Sequence, residues 1–225
     1  MFWIALIAIL MLSAWAQYQV SHQFHKYSQM ANRRHLTGAQ AAMAVLEAHG
    51  VTGVRIAPCS GHLSDHYNPR DNTIYLSDGV YNSPTIAAVG VACHEAGHAC
   101  QYAEGYFPIK VRSVIIPACQ FGSTFSYILI AIGLFLYSQS WFGIGVILFS
   151  LTTLFQLITL PVEFNASARA LATIEGEGLL YEDEYYGARK VLRSAALTYV
   201  AALLTSVLYL LQYVSVFLSM GRGDD

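Results

Sequence analysis

The sequence predicts a mainly α integral membrane protein, with four transmembrane helices and a cytoplasmic α+β part that carries a small sheet. Three observations lead there. Hydrophobic residues make up 55% of the 225 residues and charged ones 12%, about half the charge a soluble domain usually carries. Four apolar runs, over residues 2–20, 114–137, 141–160 and 195–220, approach or exceed the roughly 20 helical residues that a bilayer core requires. The basic residues fall on one side of these runs. Lys26, Arg33, Arg34, Arg55, Arg70, Lys110 and Arg112 lie between the first and second runs, and Arg169, Arg189, Lys190 and Arg193 between the third and fourth. That is 11 of the 12 Lys and Arg, leaving Arg222 for the other side. By the positive-inside rule both polar segments are cytoplasmic and both termini lie outside.

Taken in order, residues 1–20 read as a retained N-terminal transmembrane anchor. A cleaved signal peptide is the competing reading, helped by the small residues Ala14 and Ala16. The run lacks the positive leader that such peptides carry, and Lys26, Arg33 and Arg34 follow it instead. Residues 21–113 form the first cytoplasmic part. It opens with a helix over Thr37–His49, capped by Thr37 and stopped by Gly50. Val51–Ala57 and Asn72–Ser77 alternate as strands do, the second after turn residues at 68–72. Ser83 and Pro84 then supply an N-cap and a proline for a helix from Pro84 to about Ala103, ending near Gly105.

Residues 114–160 make a transmembrane hairpin joined by Ser138-Gln139-Ser140. Residues 161–194 return as cytoplasmic helices, and 195–220 form the last span. The net charge of −2 and the lack of a basic cluster give no footing for nucleic acid. Cys59, Cys93, Cys100 and Cys119 make no C-x-x-C pair, so reduced thiols fit better than a disulfide framework.

The chemistry concentrates in His94-Glu95-Ala96-Gly97-His98, an H-E-x-x-H sequence inside the third expected helix. Residues four apart share a helical face, so two imidazoles can converge on one zinc ion while Glu95 stands beside them as a base. With eight His and eight Glu in the chain, random placement yields about 0.01 such matches. A catalytic zinc normally takes three protein ligands. Glu163 is the candidate for the third, because it follows Pro161 at the cytoplasmic end of the third span. Its competing role is an interfacial carboxylate without a metal.

His62, Asp65 and His66 are open to two readings, a second metal site or a hydrogen-bonded loop near the cleft. His22, His25 and His35 read as solvated. Cys93 and Cys100 share a face of the metal helix and read as small packing residues.

Several segments together resemble the YugP-like neutral zinc metallopeptidases, membrane proteins of bacteria. They are Leu63-Ser-Asp-His-Tyr-Asn-Pro69, Ile74-Tyr-Leu-Ser77, His94-Glu-Ala-Gly-His-Ala-Cys-Gln101, Pro161-Val-Glu-Phe-Asn-Ala-Ser-Ala-Arg169 and Ala195-Ala-Leu-Thr-Tyr-Val-Ala-Ala202. The resemblance implies a zincin-like catalytic domain of the gluzincin kind. It also implies one zinc ion per chain, with His94, His98 and Glu163 as ligands and Glu95 as general base. Gluzincins usually carry an Asp four residues after the ligand Glu, to orient a metal-bound histidine. Ser167 stands there instead, with Asn165 and Asp65 as other candidates for that role.

The function expected is a membrane-bound, zinc-dependent endopeptidase acting at the cytoplasmic face of the bacterial inner membrane. In it a zinc-bound water, deprotonated by Glu95, attacks a peptide carbonyl. The expected partners are a peptide or protein substrate, with membrane-protein segments as candidates, and the lipid bilayer. A strand at Ile74–Leu76 is expected to offer its edge to an extended substrate. The rivals are an intramembrane protease and a non-enzymatic metal-binding membrane scaffold. Glu95, which catalysis needs and metal binding does not, argues against the scaffold.

Overall fold

The computed structural model describes residues 2–221. Arg222, which the sequence reading assigns to the far side of the membrane, lies outside the described residues. Ten elements follow along the chain: α1 (Phe2–Ser28), α2 (Gly38–Ala48), β1 (Arg55–Cys59), β2 (His66–Asn68), β3 (Thr73–Ser77), α3 (Asp78–Tyr81), α4 (Ile86–Ala103), α5 (Phe107–Phe135), α6 (Gln139–Gly176) and α7 (Glu182–Met220). They divide into two compact units. One comprises Met1–Trp15, Lys110–Leu160 and Thr198–Asp225; the other comprises Ala16–Ile109 and Pro161–Leu197.

In the first unit, Ile130, Phe142, Val146 and Phe149 of the α5–α6 hairpin pack with Tyr209, Leu210, Tyr213 and Phe217 of α7. Phe149 and Tyr213 meet edge to face, with ring centres 5.1 Å apart. Most remaining apolar side chains there, such as Phe121, Phe135, Ile147 and Leu211, point outward. A helix that keeps all its backbone hydrogen bonds internal can present such a surface to lipid. Among the described residues, α1, α5, α6 and α7 are long and apolar enough to cross a membrane, by length and composition. Helix α4 is not one of them.

The second unit holds the sheet and α4. Its core joins Ala41, Val45 and Leu46 of α2, Ile74 and Leu76 of β3, Val89, Ala92 and Ala96 of α4, and Ala170 and Ile174 of α6. Thr37 caps α2 as the sequence predicts: its hydroxyl accepts from Gln40 N, and the Gln40 side chain reaches back to Thr37 N. At the other end Gly50 takes φ +63°, the left-handed conformation that stops a helix at least cost. Val51 still donates to the Leu46 carbonyl of that helix end. The expected strand at 51–57 therefore starts only at Arg55.

Two further expectations are corrected. Ser83 is not the cap of α4. Residues 84–86 are drawn into a short antiparallel bridge, in which Asn32 N donates to Pro84 O and Ile86 N to Met30 O. This delays the helix, and Thr85 becomes the cap, accepting from Ala88 N. The strand over Ile74–Leu76 is not an edge either. Strand order is β1-β3-β2, with β3 central, parallel to β1 and antiparallel to β2. Its burial on four of five residues fits a middle strand. The outer strand beside it is β2, which at three residues is too short for alternation to reveal.

Gly97 sets the spacing of the two helices that carry the candidate site. A Cβ at residue 97 would lie 2.7 Å from the Ala166 carbonyl oxygen of α6 and 3.3 Å from Ala166 Cα. Those are backbone atoms, which cannot swing aside. Gly97→Ala should therefore destabilise the protein by about 1–3 kcal/mol, although alanine favours helix by about 1 kcal/mol. Gly176→Ala, where a Cβ meets nothing within 4 Å, is the matched control. Thermal melting in detergent checks this: Gly97→Ala should melt well below Gly176→Ala, and equal midpoints would refute the close contact.

Candidate metal centre

His94 and His98 stand one helical turn apart on α4, with ring centres 4.7 Å apart and planes at 81°. Glu163 comes from α6, beyond the apolar run 141–160. One of its oxygens, Oε2, lies 3.3 Å from His94 Nε2 and 3.5 Å from His98 Nε2. The three donor atoms all fall within 4.8 Å of one another, as a metal ion would need. A tetrahedral ion with bonds of about 2.0–2.1 Å would set its ligand atoms about 3.3–3.4 Å apart, so the spacing fits zinc. Charge fits as well: Glu163 is 2% exposed and Glu95 8%, and two buried carboxylates call for compensating positive charge.

Each candidate ligand has a neighbour on its other side. The hydroxyl of Ser167 sits 3.1 Å from His94 Nδ1, so this serine does take the position flagged in the sequence. Asp65 and Asn165 do not. Asp65 accepts from Ser77 N at 2.7 Å, and Asn165 Oδ1 accepts from Gln101 Nε2 and Arg169 Nε. His98 Nδ1 lies 3.0 Å from Gln101 Oε1. Sequence reasoning missed Gln101. Its signal was present: His94, His98 and Gln101 are spaced i, i+4 and i+7 and so share one face of the helix.

The general-base candidate is anchored by a strand. Tyr67 N–H of β2 donates to Glu95 Oε2 at 3.0 Å, which points one carboxylate oxygen at backbone and leaves the other for chemistry. The expected loop around residues 62–66 thus runs into β2. Its members are engaged singly. His62 meets Phe24 edge on, His66 stacks on Tyr75 and its Nδ1 lies 2.8 Å from Ser64 O, and Asp65 holds Ser77. Among the described residues, His94, His98 and Glu163 form the one three-ligand group.

All four cysteines are free. Burial pushes the Cys100 thiol up to about 11 and raises Cys93 further, so neither is poised as a thiolate ligand. Cys93 packs with its Sγ toward Ala41 O.

Burial alone would lower the His98 pKa. The Glu163 hydrogen bond and the charges of Glu95 and Glu163 outweigh it, and the net shift is upward. The proton and a metal ion compete for the same nitrogen.

A helix presenting two imidazoles and an adjacent carboxylate toward a buried acid from a second helix has the residue types that a catalytic zinc site uses. The chain in fact belongs to the family described as "Putative neutral zinc metallopeptidase", whose model matches residues 2–218. It is 45% identical over 219 residues to "Putative membrane protease YugP" of Bacillus subtilis (strain 168), covering 97% of each chain. No solved structure matches it.

A raised His98 pKa makes the pairing with Glu163 stabilising at low pH, and that contribution is lost as pH rises through the raised value. Metal binding gains over the same range, because the proton no longer competes. The melting temperature gained on adding zinc to chelator-treated protein should therefore widen from pH 6 to pH 8. A gain independent of pH across that window would take His98 out of the site.

Proposed function

We propose that the chain is a zinc-dependent endopeptidase of the gluzincin kind, embedded in the bacterial inner membrane with its site facing the cytoplasm. His94, His98 and Glu163 hold one zinc ion, and Glu95 is the general base. The observation that carries this reading is the convergence of three donor atoms within 4.8 Å, with Glu95 one residue away on the same helix, in a chain of the zinc metallopeptidase family. Support for the orientation comes from the 11 of 12 Lys and Arg that lie on one side of the four apolar runs.

Zinc in such a site supplies Lewis acidity, which makes water nucleophilic near neutral pH and polarises a peptide carbonyl. The protein's own part is positional. Glu95, with Oε2 fixed by Tyr67 N–H, keeps its other oxygen to take the proton of the attacking water. It then returns that proton to the leaving amine. Because β3 is central, the extended substrate adds its main chain along the edge strand β2, whose Tyr67 already touches the base. The substrates proposed are peptides or proteins within reach of the inner face of the membrane, including segments of membrane proteins.

Replacing Glu95 by Gln should lower cleavage of an unfolded protein substrate by a factor on the order of 10²–10⁴ while the zinc content of the purified protein is unchanged. Glu163→Ala should lose both. Zinc retained in full by Glu163→Ala would remove Glu163 from the ligand set. Full activity in Glu95→Gln would overturn the mechanism, and a zinc-bound wild type that cleaves nothing would point to a metal-binding scaffold.

A further inference from the structure

A chain of side-chain amides, the buried Gln101 and the part-buried Asn165, runs from the imidazole of His98 to a charged pair at the surface, and its donors and acceptors leave a single arrangement. It starts at Arg169. A guanidinium can only donate, and its Nε lies 2.8 Å from Asn165 Oδ1, so Asn165 must present its oxygen there. The same oxygen lies 2.9 Å from Gln101 Nε2, and the Val162 carbonyl, also an acceptor, lies 2.8 Å from that nitrogen. Gln101 must therefore turn its NH₂ toward α6, where both hydrogens are used. Its Oε1 is left facing His98 Nδ1 at 3.0 Å, and Nδ1 must carry the hydrogen. In the neutral imidazole the lone pair of His98 then resides on Nε2, the nitrogen that faces Glu163.

From this we infer that Gln101 is a positioning residue that fixes the metal-binding tautomer and ring orientation of His98, and that Asn165, held by Arg169, fixes Gln101. Arg169 is itself clamped at 2.6 Å by Glu104, the residue that ends α4. Gln101 is fully buried, so water cannot replace either amide partner. His94 is held differently. The Ser167 hydroxyl at its Nδ1 can donate or accept, so it leaves the His94 tautomer free. The two imidazoles are thus unequal, and His98 is the one set in advance.

This inference rests on His98 being a metal ligand, and the test separates the two claims. Detergent-purified wild type, Gln101→Met, Asn165→Leu and Asn165→Asp are titrated with Zn²⁺ alone against a chromophoric chelator. They are also loaded with Co²⁺ alone to record the visible absorption of the site, and melting curves confirm folding. Asn165 is used only as an acceptor here, so Asp preserves its role while Leu, with the same branched skeleton but no polar atom, removes it. Gln101→Met and Asn165→Leu should bind zinc about 10–100-fold more weakly with altered Co²⁺ spectra. Asn165→Asp should keep the affinity and spectrum of the wild type. Affinity unchanged in Gln101→Met, or lost equally in both Asn165 variants, would overturn the inference and leave the metal site standing. A wild type that takes up neither ion would remove the metal site and this inference with it. Should Asn165→Leu fail to fold, the comparison of Gln101→Met with Asn165→Asp still decides.

Discussion

Two helices far apart in sequence approach until the carbonyl oxygen of Ala166 occupies the space where a side chain at residue 97 would begin. That contact sets the distance between α4 and α6. It places Glu163 Oε2 3.3–3.5 Å from two imidazole nitrogens, close to the about 3.3–3.4 Å that tetrahedral zinc ligands require. Small residues continue along both helices, with Ala96 on α4 and Ala166 and Ala170 on α6 fully buried. A larger residue at any of these would widen the gap, and a ligand set spanning two helices tolerates little widening. The x-x of this H-E-x-x-H is therefore not spacer. Its glycine is the reason Glu163 can come so close to the two histidines.

Electrostatics then shape what the packed site can hold. Glu163 and Glu95 are almost removed from water, and the imidazoles beside Glu163 have uncharged partners, a serine hydroxyl and a glutamine amide. Many zinc histidines instead lean on a carboxylate, which strengthens the ligand and adds negative charge. With neutral partners behind the imidazoles, negative charge at the site comes from Glu163 and Glu95. They match a divalent cation without excess, and the electron-withdrawing power of such an ion is not reduced from behind.

Much of this was legible in the residues. Apolar runs of membrane-crossing length gave the four long helices, Thr37 gave the start of α2, and the histidine spacing together with Glu163 pointed to the three side chains that the structure brings together. What was hidden depended on pairing between distant segments. Strand order in the sheet follows from which backbone edges meet, so β3 reads as an ordinary amphipathic strand and only its partners make it central. Strand β2 is too short for any periodicity, yet its Tyr67 N–H holds the general-base candidate. The delayed start of α4 came from a bridge to residues 30–32, which no local cap signal encodes. Gln101 sat at a readable spacing, but its importance emerges only with Val162 and Asn165 facing it from α6.

A zinc site formed by α4 and α6 from two imidazoles and a carboxylate would carry its own spectroscopic signature. Zinc K-edge X-ray absorption on the detergent-purified protein tests it most directly, since it reads ligand type without requiring a substrate. The expected spectrum shows nitrogen and oxygen alone as nearest neighbours at about 2.0–2.1 Å, with the outer-shell scattering of two imidazoles and no sulfur. A sulfur shell at about 2.3 Å would mean that cysteine ligates the metal and that the site described here is not the one that holds it.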